Sequence, residues 1–308
     1  MLPPEVRPPE VLPPGAALRS SEIFSSTGFE MIDHKVGLIG GGNMGRAIAA
    51  GLLRGGMHAT DILIAEPRPE QCELLRQELY GVLLSDDNSQ VAGQVETLLF
   101  AVKPQILQAV CRDLASTVRE HKPLIISIAA GPRIEDIDNW LGGGMRVVRV
   151  MPNQPALIDQ GISALFANEL TDDIGRALAE KVMSAVGQVV WLESESLMDA
   201  VTAVSGTGPA YFYLLIDVMI ESAISLGIDP DTARSLAVET ARGATALASA
   251  ETESMSSLIE RVRSPGGTTT AAFECLDAAD VRGIFAKAIE AARDRATALA
   301  DEANARQT

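Results

Sequence analysis

Over roughly the first two-thirds of the chain, short apolar runs alternate with segments in which apolar residues recur every three or four positions. A short apolar run is typical of a buried strand, and the longer period is typical of a helix that buries one face. The runs predict strands at the start of 35–53 and at 61–65, 81–85, 97–102, 123–129 and 146–151, while 161–167 and 188–192, around a helix near 171–185, are candidates to extend the sheet. Strands separated by helices indicate a parallel, doubly wound sheet.

From about residue 196 the apolar spacing changes to the helical period. It predicts a long apolar helix over 198–227, interrupted at 206–209, followed by helices near 231–250, 256–263, 270–278 and 280–302. The predicted fold class is therefore α/β. An N-terminal Rossmann-type doubly wound parallel sheet in 31–195 is followed by an all-helical C-terminal domain in 196–308. Because alanine-rich helix faces pack closely, we expect this domain to form the interface of a homodimer or a higher homo-oligomer.

Residues 1–30 differ from the rest of the chain, because they contain six of its 16 prolines, in pairs at 3–4, 8–9 and 13–14. The segment lacks a basic region followed by an apolar run, so it is not a signal peptide. Its composition predicts a disordered, extended tail. Met31 directly precedes the first strand, and a natural start there is an open alternative.

The chain is acidic, with 25 basic and 41 acidic residues and a net charge of −16. A nucleic-acid-binding protein needs a basic face, so this balance argues against that class. An anionic substrate is still possible, since local geometry overrides net charge. Lysine is scarce, and any anion site is therefore expected to use backbone amides, hydroxyls or arginines.

Three cysteines and three histidines limit the metal and redox chemistry. Cys72, Cys111 and Cys275 are far apart and form no CxxC pair, which favours free thiols in a reducing cytoplasm. So few ligands make a zinc site improbable, and we expect no metal. We see no run of about 18 apolar residues and therefore expect no membrane span.

Gly40, Gly42 and Gly45 form a G-x-G-x-x-G motif between the first predicted strand and an amphipathic helix within 35–53. In dinucleotide-binding folds the first glycine permits a tight turn and the second lets the backbone approach a pyrophosphate, while the third lets the helix pack on the strand. The amides at the helix N-terminus then face the phosphates. Its place between strand and helix makes the motif specific, and it predicts a nicotinamide cofactor.

The end of the second strand bears on which cofactor is used. Glu66 lies where a carboxylate ordinarily binds the ribose 2′-hydroxyl of NAD and repels the 2′-phosphate of NADP. Arg46 and Arg68 are close in sequence and are candidates to bind that phosphate. NADPH and NADH are both expected to serve, with NAD slightly favoured. Lys103 follows the fourth strand, at the sheet edge where cofactors bind.

A loop with the sequence SPGGTTTA, at 264–271, interrupts the helices of the last third. Gly266 and Gly267, with the N–H groups of Thr268 and Thr269, can form a concave set of donors at the start of a helix. Such a loop binds a small anion without a lysine. An ordinary connection between two helices is the alternative interpretation.

Six motifs occur in one order along the chain: GLIGGGNMGRAI, FAVKPQ, SIAAG, RVMPNQPA, MDAVTAVSGTGPAY and SPGGTTTA. Together they resemble the pyrroline-5-carboxylate reductase family over about 35–280. The last two are specific, because other Rossmann reductases lack them. Gln154 departs from the pattern, since the family commonly has threonine there, and this concerns a contact near the nicotinamide.

The resemblance implies an enzyme that reduces 1-pyrroline-5-carboxylate to L-proline with NADPH or NADH, the final step of proline synthesis. It implies that the loop holds the substrate carboxylate, through Ser264, Gly266, Gly267, Thr268 and Thr269. It also places Thr202 near the imine, as the catalytic residue. The expected cofactor contacts are Gly40, Gly42, Asn43, Met44, Gly45, Glu66, Ala101, Val102, Lys103, Pro104 and Asn153.

The residue inventory fits an imine better than a ketone. A protonated imine is already an electrophile, so the enzyme needs mainly to bind, orient and exclude water. Ketone reduction commonly needs a His or Lys for the hydroxyl proton, whereas no His follows His121 and no Lys occurs between 182 and 286. A hydroxy- or keto-acid dehydrogenase and a non-catalytic NAD(P)-binding regulator remain the alternatives.

Overall fold

An eight-stranded β-sheet runs through the part of the protein that the computed structural model describes, residues 34–305. Its strands are β1 (Val36–Ile39), β2 (Ile62–Ala65), β3 (Leu83–Ser85), β4 (Thr97–Phe100), β5 (Leu124–Ser127), β6 (Val147–Met151), β7 (Gly161–Ala167) and β8 (Gly187–Trp191). The order across the sheet is β3-β2-β1-β4-β5-β6-β7-β8. The predicted doubly wound sheet is confirmed, and the order reverses direction between β1 and β4. The predicted tail at 1–30 and the alternative start at Met31 lie outside the described residues.

Two strands, β7 and β8, run against the predicted direction. β7 pairs antiparallel with β6, whereas the pairs from β3 to β6 and the pair β7–β8 are parallel. Only a short 3₁₀ turn, Gln154–Ile158, connects β6 to β7. A parallel crossover needs about a dozen residues or more, so the short connection forces the chain to turn back.

Six helices connect the strands: α1 (Asn43–Arg54), α2 (Pro69–Glu78), α3 (Asn88–Ala92), α4 (Pro104–His121), α5 (Ile134–Trp140) and α6 (Asp173–Ser184). α1, α2 and α6 bury their apolar residues in one cluster, and α3, α4 and α5 bury theirs in a second. The sheet contributes to both clusters, because its central strands are buried throughout. Within the second cluster, burial raises the pKa of the Cys111 thiol to about 12, so it packs as a neutral apolar group.

The remaining chain is helical, as predicted. It forms α7 (Met198–Val201), a π-helical turn (Thr202–Gly206), α8 (Gly208–Ser225), α9 (Pro230–Ala250), α10 (Met255–Val262), α11 (Thr268–Ala278) and α12 (Val281–Ala305). The π turn begins four residues before the interruption predicted at 206–209. It widens the helix, because the Thr207 N–H donates to the Thr202 carbonyl at 2.8 Å. Such turns are rare and often mark functional sites.

A buried arginine joins the sheet to the helical region. Arg149, on β6, is 4% exposed, and its guanidinium donates to Glu195 at 2.9 Å and to the Gly131 carbonyl at 3.2 Å. Glu195 also accepts from the Ile134 N–H at 2.9 Å. A charged hydrogen-bonded group with this degree of burial fixes its neighbours, so the chain that enters α7 is held against the end of the sheet.

The helical stretch Glu195–Ser225 is long and apolar enough to cross a membrane by length and composition, and 11% of its most apolar window is buried in the chain. No such segment was expected from the sequence. Most of α8 is exposed, including Leu214 and Leu215 at 58% and 54%. A contiguous apolar surface of this kind marks a contact with something outside the single chain.

Candidate active site

A cleft of about 550 Å³ lies at the carboxyl ends of β1, β2 and β4. This is where the strand order reverses, the position at which open parallel sheets bind ligands. Its walls come from the glycine loop after β1, the segment after β2 and the turn before α4. The lining residues are Ile39, Gly40, Gly42, Asn43, Ala65, Glu66, Pro67, Arg68, Gln71, Asn88, Ala101, Val102, Lys103, Ile106 and Val110.

The three glycines of the motif have three different environments. Gly40 has φ of +105°, and a Cβ there would lie 2.9 Å from the Ala101 carbonyl oxygen. A Cβ on Gly45 would lie 2.3 Å from the Gly40 carbonyl oxygen, so this glycine permits the helix to pack on the loop. A Cβ on Gly42 would meet nothing within 4 Å. Only Gly42 therefore faces open space, as expected of the residue that a pyrophosphate approaches.

The N-terminus of α1 leaves backbone donors free for a ligand. Gly42 is the N-cap residue and provides no side-chain cap. By contrast, Asp87, Asp172 and Asp229 cap α3, α6 and α9 with their carboxylates. The first N–H groups of an uncapped helix, together with its dipole, favour a negative group. The loop therefore fits the phosphates of a dinucleotide.

Glu66 lines the cleft but is 3% exposed. Its carboxylate accepts hydrogen bonds from the Gly41 N–H at 3.0 Å, the Arg68 N–H at 3.1 Å and the Arg68 guanidinium at 2.8 and 3.0 Å. Burial alone would raise the pKa of Glu66, but the bonds from Arg68 and Gly41 outweigh it and hold the pKa below its usual range. The carboxylate is therefore ionised at neutral pH and ties the glycine loop to the end of β2.

The other expected cofactor residues divide into two groups. Gly40, Gly42, Asn43, Glu66, Ala101, Val102 and Lys103 line the cleft, whereas Met44, Gly45, Pro104 and Asn153 do not. Met44 packs against the core below α1. The side-chain Oδ1 of Asn153 accepts from the Ile162 N–H at 3.0 Å, which ties the end of β6 to the start of β7. A contact between the cofactor and any residue of either group stays a prediction.

The expected catalytic residue lies in the π turn. The Thr202 hydroxyl donates to the Met198 carbonyl at 2.9 Å. The turn rests on the carboxyl end of β6, since a Cβ on Gly206 would lie 2.5 Å from the Met151 methyl carbon. The Tyr211 hydroxyl donates to the Ala203 carbonyl at 3.2 Å and braces the same turn. Because the Thr202 hydroxyl proton is engaged, its oxygen presents only lone pairs to a ligand.

The SPGGTTTA loop is exposed and internally organised. Gly266 has φ of +69°, and Gly267 is the N-cap of α11 without a side-chain cap. The Ser264 carbonyl accepts from the Gly267 N–H at 2.9 Å and from the Thr270 hydroxyl at 2.7 Å. This turn places the N–H groups of Thr268 and Thr269 in the first turn of α11, where backbone donors are free. The Gly267 N–H is engaged within the loop, and the binding of an anion by the Thr268 and Thr269 N–H groups stays a prediction.

The loop and the cofactor cleft are separate within one chain. In the described part of the chain, none of residues 264–271 lines the cleft. The turn and side-chain hydrogen bonds of the loop join its own residues. Sequence reasoning placed the loop at the substrate, but the single chain does not bring it to the cleft.

Sequence reasoning also missed several residues. Gln71 lines the cleft, and its side-chain amide donates to the Gly41 carbonyl at 2.6 Å, so it steadies the glycine loop. Its position in the first turn of a helix after β2 was the available signal. The Tyr213 hydroxyl donates to Gln154 at 3.2 Å, so the residue that departs from the family pattern contacts α8.

No cluster of three or more His, Cys, Asp or Glu side chains able to hold a metal ion occurs among residues 34–302, whose side chains are described. Cys72, Cys111 and Cys275 are free. The Cys72 thiol donates to the Glu66 carbonyl at 3.0 Å. The polar side chains that line the cleft are those of Asn43, Glu66, Arg68, Gln71, Asn88 and Lys103.

Two family models match the chain in succession. Residues 35–131 match the model described as NADP oxidoreductase coenzyme F420-dependent. Residues 195–299 match the model described as pyrroline-5-carboxylate reductase dimerisation. The first match covers the glycine loop and the cofactor cleft, and the second covers the π turn, the apolar helix α8 and the SPGGTTTA loop.

Similar proteins match over nearly their whole length. A pyrroline-5-carboxylate reductase of Pseudomonas aeruginosa is 37% identical over 87% of this chain and 97% of that protein. The structure of a pyrroline-5-carboxylate reductase from Coxiella burnetii is 38% identical, covers 86% of this chain and 98% of its own, and superimposes with a TM-score of 0.81. The structure of Plasmodium falciparum pyrroline carboxylate reductase with NADP bound is 25% identical over 88% of this chain and 99% of its own, with a TM-score of 0.79. The chain belongs to the pyrroline-5-carboxylate reductase family.

Proposed function

We propose that this protein reduces 1-pyrroline-5-carboxylate to L-proline by hydride transfer from NADPH or NADH, in the cytoplasm. The observation that carries the proposal is the combination, in one chain, of a dinucleotide cleft with the π turn and the glycine–threonine loop. Relatives named for this activity match 87% and 86% of this chain. We propose further that 31–195 binds the cofactor and that 196–308 binds the substrate and dimerises.

The cleft fits the cofactor on its own geometry. The open space at Gly42 admits a pyrophosphate, and the uncapped amides of α1 point to it. Ala101 and Val102, which lie between β4 and Lys103, provide an apolar wall of the cleft. The nicotinamide supplies the hydride when it is bound. The protein's part is to hold its phosphates, fix its ring and exclude water.

Thr202 is proposed to orient the imine. Its hydroxyl proton is engaged with the Met198 carbonyl, so its oxygen is an acceptor. A protonated cyclic imine carries one N–H, which that oxygen accepts, and the positive charge makes the bond stronger than a neutral one. The imine then needs no further proton, because hydride addition to its carbon leaves the neutral ring nitrogen of proline. The lack of a His after His121 and of a Lys between 182 and 286 is consistent with this role.

The substrate carboxylate is assigned to the SPGGTTTA loop. The N–H groups of Thr268 and Thr269 and the dipole of α11 favour an anion. The hydroxyls of Thr268 and Thr269 have no protein partner in the described part of the chain, so they are free to donate. Since the loop lies away from the cleft of its own chain, we propose that a second copy brings the two together.

Assembly through the helical region follows from its exposed apolar surface. We expect the protein to run at twice the chain mass of 32.5 kDa, or at a higher multiple, in light scattering after gel filtration. Leu215, on α8, is 54% exposed in one chain. Leu215→Glu would bury an unpaired charge in the interface, so we expect it to give monomers and to reduce activity.

The matched control for this substitution is Ile174→Glu, because Ile174 is 72% exposed on α6 of the sheet region. It should leave the mass unchanged. A wild-type protein that is monomeric and fully active at the same concentration would refute both the interface and the shared site.

The activity is tested by following NADPH and NADH oxidation by the full-length protein with pyrroline-5-carboxylate. We expect turnover with the imino acid and none above background with pyruvate, a small keto acid. Turnover of the keto acid alone would favour a dehydrogenase. Tight NADPH binding without turnover of either compound would favour a non-catalytic regulator.

Thr202→Val ties the same assay to the proposed site. It removes the acceptor oxygen, and we expect kcat to fall about tenfold or more, as for loss of a hydrogen bond to a charged group. Thr202→Ser should retain most of the activity. Thr245→Val is the control, because the Thr245 hydroxyl makes the same bond to a carbonyl four residues earlier, at 2.9 Å on α9. Equal losses in Thr202→Val and Thr245→Val would contradict the assignment.

A further inference from the structure

The Glu66 carboxylate has no acceptor capacity left for a ribose hydroxyl. A carboxylate offers about four lone-pair positions on its two oxygens. Oε1 accepts from the Arg68 N–H and Nε at 3.1 and 2.8 Å, and Oε2 accepts from the Gly41 N–H and Arg68 Nη2, both at 3.0 Å. The four positions are therefore filled by the protein itself. A glutamate at the end of β2 ordinarily indicates NAD, but Glu66 instead holds Arg68 and the Gly41 N–H in place.

Arg68 has the opposite properties. Its side chain is 56% exposed, it lines the cleft, and it gives two of its five guanidinium N–H groups to Glu66. The other three N–H groups have no protein acceptor in the described part of the chain. The pair with Glu66 fixes the plane of the guanidinium, which is the arrangement that binds phosphate with two parallel hydrogen bonds.

The other charges nearby do not compete for this role. Arg46, the second candidate from the sequence, donates to both oxygens of Glu78 at 2.6 and 2.7 Å and does not line the cleft. Lys103 lines the cleft from the turn before α4, at the end of a different strand. Glu70 lies near enough to Arg68 to interact with its charge but is exposed to solvent, so salt screens it.

We infer that Arg68 is the receptor for the 2′-phosphate of the cofactor and that Glu66 is the positioning residue that holds Arg68 in place. The protein is thereby adapted to NADPH in spite of an acidic residue at the position typical of NAD. This inference rests on the proposed function only in that it places the cofactor in this cleft. It concerns the adenosine end of the cofactor and not the reduction of the imino acid.

Binding of two cofactor fragments tests the inference without any turnover. Calorimetry with the full-length protein, at about physiological ionic strength, would measure adenosine 2′,5′-bisphosphate and adenosine 5′-monophosphate. The wild-type protein should bind the bisphosphate at least about tenfold more tightly, as expected of charge-assisted hydrogen bonds to one phosphate. A wild-type protein with equal or reversed affinities would overturn the inference.

Substitutions of Arg68 separate its charge from its geometry. Arg68→Gln should weaken bisphosphate binding about ten- to a hundredfold and leave monophosphate binding within about twofold. Arg68→Lys keeps the charge but loses the planar pair of donors. Its ratio of bisphosphate to monophosphate affinity should therefore lie between that of the wild type and that of Arg68→Gln. The control is Arg76→Gln, because Arg76 is an exposed arginine of α2 that pairs with Glu73 and does not line the cleft. An unchanged ratio in Arg68→Gln would overturn the inference.

Glu66→Gln distinguishes a residue that holds Arg68 from one that binds the ribose, because the two roles predict opposite changes in the preference for the bisphosphate. If Glu66 holds Arg68, the substitution weakens bisphosphate binding and spares the monophosphate. If Glu66 binds the ribose hydroxyl, the substitution weakens monophosphate binding and strengthens bisphosphate binding, and the inference fails. Circular dichroism verifies folding, and the Arg68 variants decide the matter if Glu66→Gln unfolds. A protein with the expected fragment ratios but no reduction of pyrroline-5-carboxylate would refute the proposed function alone.

Discussion

Gly42→Val is expected to abolish the binding of NADPH and NADH by a protein that still folds. The backbone at Gly42 has φ of −67° and ψ of −174°, an extended conformation that valine adopts readily. A Cβ there meets no protein atom within 4 Å, so the fold loses little. The added methyl groups instead occupy the space over the first amides of α1, where the pyrophosphate would lie. We expect the Kd for both cofactors to rise at least about a hundredfold, since several backbone hydrogen bonds are lost together.

The contrast within the same loop is Gly45→Ala. A single methyl group there would lie 2.3 Å from the Gly40 carbonyl oxygen. This backbone atom can move away only if the end of β1 moves with it. This substitution should lower the melting temperature and the yield of folded protein. Fluorescence titration for Kd and thermal denaturation for stability separate the two effects. Unchanged cofactor affinity in a folded Gly42→Val protein would mean that the cofactor binds elsewhere.

The fold of residues 34–195 was largely predictable, because its signals are local. Runs such as 97–102 and 123–129 are apolar apart from one hydroxyl residue each, as expected of strands buried on both faces, and they contain β4 and β5. The direction of β7 was not predicted. It depends on the short connection after Met151, and the apolar pattern of a strand carries no information about its direction.

The role of Glu66 illustrates a second limit. Its position after β2 was recognised from the spacing to the glycine motif, and that spacing favoured NAD. Only the structure shows that Arg68 turns back onto the carboxylate and that the Gly41 N–H meets it from another segment. Whether the acceptor positions of a carboxylate are all filled depends on donors from different segments of the chain. A sequence shows which donors exist but not which acceptors they meet.

In the helical third, too, some features were predictable from the sequence and others were not. The glycine and proline at 206–209 predicted an interruption, yet the π turn at Thr202–Gly206 depends on the Thr207 N–H skipping to the carbonyl five residues back. The donor set of the SPGGTTTA loop was also predicted from its residues. Its distance from the cleft of its own chain was not, because that follows from how the helices pack.

Gly267→Val is expected to damage substrate binding and leave cofactor binding nearly unchanged. The backbone φ at Gly267 is −84°, so valine introduces no strain of its own. Its Cβ, however, would lie 2.3 Å from the Ser264 hydroxyl and 3.1 Å from the Ser264 carbonyl oxygen. Ser264 has to move, and the turn that presents the Thr268 and Thr269 amides opens. We expect the KM for pyrroline-5-carboxylate to rise at least about tenfold, and the Kd for NADPH to stay within about twofold.

Two threonines in this loop separate anion binding from loop structure. The Thr270 hydroxyl is already donated to the Ser264 carbonyl at 2.7 Å, so Thr270→Val should act through the turn and resemble Gly267→Val. Thr269→Val keeps the side-chain shape and removes a hydroxyl that is free in the described chain. If that hydroxyl donates to the carboxylate, its loss should cost about 1–3 kcal/mol of substrate binding, with no change in melting temperature. Steady-state kinetics with the imino acid varied, beside NADPH titrations, measure both quantities. Equal losses of cofactor and substrate binding in folded Gly267→Val would show that the loop only connects α10 and α11, because the loss of the carboxylate donors alone should leave the phosphate contacts of NADPH at Gly42 intact.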